Sequence, residues 1–183
     1  MVDTPTRRQI PRLERIAFHE AGHAVAAASF GCRFSMLTLY PDMDAESAIM
    51  GPLQIDLWKC AFPAGQPDRL LQVLTMLWAG TAAEVQFMSR RVAPEADPDR
   101  RTVGVFVDQL RERGVTIPDE WDRRPRLNAH ALFRQPKQGV AVGALATRLL
   151  DAHVIGHFTA RGIITDAMGT ATSRFSRRDA AEA

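Results

Sequence analysis

The spacing of apolar residues along the chain predicts a mostly helical protein. Apolar positions recur every three or four residues in four stretches, which indicates helices over 12–29, 68–90, 97–113 and 139–161. The first stretch has Pro11 near its start and Gly31 just beyond its end, as is typical of helix termini. Asp97 followed by Pro98 reads as the N-cap and first position of the third helix.

Two shorter stretches have the character of β-strands. Residues 34–40 are rich in β-compatible side chains and end at a turn signal, Pro41-Asp42. Residues 49–58 alternate moderately but contain Gly51-Pro52, which favours an edge strand or a bulge. The predicted fold class is therefore mainly α with a small β-hairpin or sheet (α+β), with the sheet beside the first helix.

Length and composition favour a single domain. The 183 residues are enough for one good-sized core, which we expect over residues 11–166, after a flexible arm at 1–10. Three prolines and many charges predict an ordered but irregular insertion at 114–137. The polar tail at 167–183 is predicted to be disordered.

Charge and hydropathy exclude several classes of function. A net charge of +2 is too small to indicate nucleic-acid binding. The N-terminus has no apolar segment typical of a signal peptide, and no apolar run is long enough to span a membrane. We therefore expect a cytoplasmic protein without a membrane span. The isolated cysteines, Cys32 and Cys60, exclude a cysteine-rich zinc site.

The most informative segment is His19-Glu20-Ala21-Gly22-His23, inside the first predicted helix. Residues four apart lie on the same face of a helix, so the imidazoles of His19 and His23 can occupy two neighbouring corners of a zinc tetrahedron. Glu20 is then positioned to take a proton from a water molecule that zinc activates. This pattern indicates a zinc hydrolase.

A hydrolytic zinc site normally has three protein ligands, and the spacing leaves the third one open. The position six residues after the second histidine is Ser29, which excludes the closely spaced three-histidine arrangement. His153 and His157 form another pair four residues apart, but they lack a neighbouring glutamate and are interpreted as helix-surface histidines. The remaining candidates are downstream carboxylates, chiefly Glu84, Asp97 and Asp99.

Several segments resemble one protein family. IAFHEAGHAVAA, at residues 16–27, is similar to the zinc helix of the FtsH-type, membrane-anchored AAA zinc proteases. Further segments match the same family in the same order, the last of them weakly: LTLYP at 37–41, AIMG at 48–51, WAGTAAEVQF at 78–87, EADPDRRTVGVFVDQL at 95–110 and ALATRLLDAHVI at 144–155.

The resemblance implies an FtsH-peptidase-like helical zincin domain that binds one Zn²⁺ per chain. It places Asp99 on the family's third zinc ligand, and it places Glu84 on a glutamate that orients a ligand without binding the metal. The strand that contains Met36, Leu37, Thr38, Leu39 and Tyr40 has two interpretations. It could bind substrate by adding it as an extra strand, or it could serve sheet packing alone.

The chain also departs from this family. It contains no phosphate-binding GxxxxGK[ST] motif, no ATPase module and no transmembrane segment, and Thr81 stands where the family usually has arginine. We therefore expect a zinc metalloendopeptidase that is ATP-independent in itself and cuts peptides or unfolded segments, unless a separate ATPase or AAA protease supplies substrate. Two alternatives remain: a zinc-binding, catalytically weak or inactive adaptor that binds peptides and joins a complete AAA protease, and a zinc hydrolase of non-peptide amides. A monomer and a small homo-oligomer are both compatible with the sequence.

Overall fold

The structure is a computed structural model that describes residues 12–39, 69–88, 97–117 and 119–179. The described residues form seven helices and one two-stranded antiparallel sheet, which confirms the predicted α-rich, α+β class. In chain order the elements are α1 (Arg12–Ser29), β1 (Met36–Thr38), α2 (Arg69–Leu77), α3 (Ala79–Phe87), α4 (Pro98–Glu112), α5 (Arg123–Phe133), α6 (Pro136–Ala152), β2 (Val154–Gly156) and α7 (His157–Asp179).

Helix α1 lies at the centre of the fold and packs mainly against α3 and α6. Its buried face consists largely of alanine, and Ala17, Ala21 and Ala24 are fully buried. Small side chains let the helix backbones approach closely. At Gly22 the approach is closest, because a Cβ atom there would lie 2.6 Å from both the Ala79 carbonyl oxygen and the Ala83 Cβ. A side chain at position 22 therefore does not fit without moving α3.

The sheet joins distant parts of the chain. Met36 pairs with Gly156, Leu37 with Ile155 and Thr38 with Val154. The prediction of one helix over 139–161 is wrong, since α6 ends at Ala152 and β2 follows. His153 adopts the left-handed conformation, with φ of 62°, and its backbone N–H donates to the Leu149 carbonyl, which ends the helix. The other predicted strand, 49–58, lies outside the described residues.

Three further expectations are corrected. The stretch predicted as one helix over 68–90 is two helices, α2 and α3, which meet at Trp78. The insertion at 114–137 is not irregular throughout, because it contains the helix α5 and the start of α6. The tail predicted to be disordered from residue 167 is helical as far as Asp179 in α7. Helical spacing in α5 is hard to read from sequence, since arginines and a proline occupy its first turn.

The hydropathy of the described helices is relevant to the expectation of a protein without a membrane span. None of these helices combines the length and the apolar character that crossing a lipid bilayer requires.

Substitution of Gly22 tests the packing of α1 against α3. We expect Gly22→Ala to lower the free energy of unfolding by about 1–3 kcal/mol, because its methyl group would overpack the contact with Ala79 and Ala83. Urea denaturation followed by circular dichroism measures the change. Gly143→Ala is the matched control. Its Cβ would meet no atom within 4 Å, so helix propensity should make that variant slightly more stable. A Gly22→Ala protein as stable as the control would contradict the close approach.

Candidate metal centre

The two histidines of α1 project from one face of the helix towards the first turn of α3. Their Nε2 atoms lie 3.1 Å apart, one helical turn from each other along α1. Gly80 forms the floor beneath them, since a Cβ atom there would lie 2.5 Å from both His19 Cε1 and His23 Nε2. The histidine pair therefore depends on a residue without a side chain at the start of α3.

Hydrogen bonds at Nδ1 determine which ring nitrogen of each histidine carries the proton. His23 Nδ1 is 2.9 Å from the Met76 carbonyl oxygen, which only accepts, so this nitrogen donates. His19 Nδ1 is 2.8 Å from Glu84 Oε1 and donates to that carboxylate. In each neutral imidazole, the ring nitrogen with the free lone pair is then Nε2. This is the tautomer that binds a metal through Nε2, with the other nitrogen anchored.

Asp99 completes a three-atom cluster. Its Oδ1 atom lies 3.2 Å from His19 Nε2 and 3.3 Å from His23 Nε2. Asp99 is the second residue of α4, whose buried face anchors this helix through Val103, Phe106 and Val107. The other carboxylate oxygen, Oδ2, accepts from the Thr81 backbone N–H at 2.7 Å. That bond leaves Oδ1 facing the two histidines.

The three atoms have the spacing of metal ligands. In a tetrahedral site with zinc–ligand distances of about 2.0–2.1 Å, neighbouring ligand atoms lie about 3.3–3.4 Å apart. The observed separations of 3.1, 3.2 and 3.3 Å are close to this value. His19, His23 and Asp99 can thus hold a metal ion, and within the described residues no other group of three such side chains is close enough.

The electrostatics of the cluster favour a cation. Burial lowers the pKa of His19, but the charge and hydrogen bond of Asp99, with the hydrogen bond of Glu84, raise it well above its usual value. The pKa of His23 is also raised, with burial again opposing Asp99. Burial raises the pKa of Asp99, yet the two histidines hold it far below its usual range. The same arrangement favours binding of a proton and of a metal ion, because the carboxylate of Asp99 faces the lone pairs of two imidazole nitrogens.

The two other candidate carboxylates lie elsewhere. Asp97 is the N-cap of α4, and its Oδ1 accepts from the Asp99 backbone N–H at 3.0 Å and from the Thr81 hydroxyl at 2.6 Å. Burial is the main cause that raises the pKa of Asp97. Glu84 contacts the far side of the His19 ring, at Nδ1. Neither carboxylate joins the Nε2–Oδ1 cluster, whereas Asp99 does.

Glu20 follows the first histidine on α1 and is 3% exposed. Its negative charge lies close enough to raise the pKa of both His19 and His23. The imidazoles are more accessible than the carboxylates, with 15% of each side chain exposed against 3% for Asp99. The imidazoles are therefore the more solvent-accessible part of the cluster, whereas Asp99 and Glu20 are buried.

The other residues singled out by the sequence lie outside the cluster. Met36, Leu37 and Thr38 form β1, Leu39 continues its pairing by donating to the His153 carbonyl, and Tyr40 lies outside the described residues. Whether this strand binds substrate stays a prediction. His153 and His157 do not face each other on one helix, since β2 separates them, and the ring of His157 packs edge-on against Phe34.

Two contributors to the site were missed by sequence reasoning. Met76 orients His23 through its backbone carbonyl, for which side-chain identity carries no signal. Thr81 binds Asp99 through its N–H and Asp97 through its hydroxyl. The amides of a helix's first turn have no acceptor within that helix. This role could have been predicted only from a helix start shortly before Thr81. The structure has such a start at Trp78, which makes Thr81 part of a first turn.

Comparison with known protein families and with curated proteins finds no match for this chain. The proposed function therefore depends on the geometry of the cluster, with the resemblance of several sequence segments as further support.

Removing the third candidate ligand tests whether the cluster binds metal. We expect Asp99→Ala to lose bound divalent metal, because two neutral imidazoles without a carboxylate hold a metal ion weakly. Metal content after gel filtration, measured by atomic emission, reports the loss. Asp108→Ala is the matched control on the same helix, where an exposed carboxylate pairs with Arg111. Metal retained by the Asp99 variant at the control's level would mean that another group completes the site.

Proposed function

We propose that the chain is a zinc-dependent metallopeptidase that cuts peptides or unfolded protein segments. One observation carries the proposal: the Nε2 atoms of His19 and His23 and the Oδ1 atom of Asp99 converge at 3.1–3.3 Å, with the Glu20 carboxylate buried beside them. Three protein ligands and a neighbouring carboxylate are what hydrolytic zinc sites use.

The donor set favours zinc over harder cations. Two imidazole nitrogens and one carboxylate oxygen suit zinc, whereas magnesium and calcium prefer a shell of oxygen atoms. The separations between the three atoms match a tetrahedron, and a tetrahedron with three protein ligands has one corner left for water or substrate. When bound, zinc supplies a Lewis acid that makes water acidic near neutral pH and stabilises negative charge on a carbonyl oxygen.

The chain's own residues perform the remaining tasks. Glu84 and the Met76 carbonyl hold the two imidazoles with their lone pairs directed to one point. Glu20 accepts the proton of the attacking water and passes it to the amine that leaves when the peptide bond breaks. Glu20 is buried, and its charge lies close enough to both imidazoles to raise their pKa, as a general base beside the cluster requires.

The resemblance of several sequence segments to the FtsH-type peptidases supports peptides and unfolded protein segments as the substrate class. A peptidase of this kind acts on chains that are already extended, or on chains that an ATPase unfolds. Main-chain pairing with a strand such as β1 would make recognition tolerant of sequence.

Glu20→Gln separates metal binding from catalysis. We expect this variant to keep its zinc, because Glu20 is not a ligand, and to lose hydrolysis by about 10²–10⁴-fold, the usual contribution of a general base. Zinc content and the rate of casein cleavage are measured on the same preparation. Hydrolysis at the wild-type rate would remove Glu20 from the mechanism.

The activity itself is tested with an unfolded protein. Casein should be cleaved by the zinc-loaded chain, and the cleavage should stop with a chelator and return when zinc is restored. Bound zinc without any cleavage would reject the peptidase and favour a zinc-containing module that binds peptides. A chain that binds no zinc would reject both functions.

A further inference from the structure

We propose that Thr81 is a positioning residue, which holds the metal-binding carboxylate of Asp99 in place through Asp97. The inference rests on the metal centre of the proposed function and deepens it. It assigns the affinity of the centre in part to a side chain that touches no metal.

Thr81 is bonded to both ends of the segment that delivers the third ligand. Its backbone N–H donates to Asp99 Oδ2 at 2.7 Å, and its hydroxyl donates to Asp97 Oδ1 at 2.6 Å. Asp97 Oδ1 in turn accepts from the Asp99 backbone N–H at 3.0 Å. The three residues therefore form a closed ring of hydrogen bonds between the first turn of α3 and the first turn of α4.

The two hydrogen bonds of Thr81 have different effects. The bond from its N–H chooses which oxygen of Asp99 faces the histidines, because it occupies Oδ2 and leaves Oδ1 for the cluster. The bond from its hydroxyl fixes Asp97, and with it the start of α4, against α3. Since Gly80, the neighbour of Thr81, forms the floor under both imidazoles, one short segment of α3 locates all three ligands.

The residues of this ring are buried, which increases the effect of losing one of its hydrogen bonds. Thr81 is 4% exposed and Asp97 is 8% exposed, so water replaces a lost hydrogen bond poorly at this place. Ligand positions within a few tenths of an ångström decide metal affinity, and partners that orient a ligand usually change that affinity by about 10–100-fold when removed. Freeing the start of α4 should therefore weaken the metal site without removing a ligand.

The test compares three substitutions of threonine in the 183-residue chain. Thr81→Val keeps the shape and the backbone N–H but removes the hydroxyl, and Thr81→Ser restores it. Thr75→Val removes a hydroxyl of similar burial on α2 that donates to the Leu71 carbonyl. The zinc dissociation constant of each variant is measured by competition with a chelator, alongside thermal unfolding of the metal-free protein.

We expect Thr81→Val to bind zinc about 10–100-fold more weakly than the unsubstituted chain, and Thr81→Ser and Thr75→Val to bind it nearly as tightly. The absorption spectrum of bound Co²⁺ should also change for Thr81→Val alone, because it reports the geometry of the ligands. A zinc affinity and Co²⁺ spectrum of Thr81→Val that equal those of Thr75→Val would overturn the proposal.

Asp97→Ser keeps the proposal testable if Thr81→Val does not fold. Serine caps a helix as well as aspartate does, but its oxygen ends one bond short of the atom that Thr81 contacts. We expect weakened zinc binding with a helix content equal to that of the unsubstituted chain; undiminished affinity would again reject the role of Thr81. An unsubstituted chain that binds no zinc refutes the metal centre itself. One that binds zinc but cleaves nothing refutes only the peptidase.

Discussion

The close approach of α1 to the first turn of α3 is the constraint on which the rest of the structure depends. Gly22 on α1 and Gly80 on α3 have no space for a side chain, and the alanines around Gly22 are fully buried. This contact brings the imidazoles of His19 and His23 directly over the α3 backbone. Because Thr81 follows at once, the same turn of α3 also receives the carboxylate of Asp99. Packing of small residues thus comes first, and the chemistry of the site depends on it.

The resulting cluster is unfavourable without a positive charge. Both imidazoles donate through Nδ1, so in their neutral form two nitrogen lone pairs face a carboxylate oxygen at about the distance of van der Waals contact. The raised pKa of His19 and of His23 and the lowered pKa of Asp99 express this demand for a cation. A site built in this way can hold a metal ion, and the same hydrogen bonds fix the orientation of the candidate ligands.

Residues whose role depends on local spacing were identified from the sequence, and residues whose role depends on contacts across the fold were identified only in part. The positions of His19, Glu20 and His23 follow from helical periodicity alone. The choice among Glu84, Asp97 and Asp99 depended on a family resemblance, and the structure brings only Asp99 to the Nε2 atoms. Helix α5 was missed because arginines and a proline mask its periodicity. The end of α6 was missed because His153 takes a left-handed conformation that non-glycine residues seldom adopt.

Amphipathic spacing in the sequence was enough to establish a helical protein with two histidines and a glutamate on one helix, since neighbours on a helix surface are set by its 3.6-residue turn. The third member of the cluster lies 76 residues beyond His23, a separation over which no local rule operates. Its place was decided by the break between α2 and α3 at Trp78. That break creates a new helix start, where the Thr81 N–H has no acceptor within its own helix and donates to Asp99 Oδ2. Hydrogen-bond donors of this kind exist only once the chain has folded, so the contact is a property of the tertiary structure.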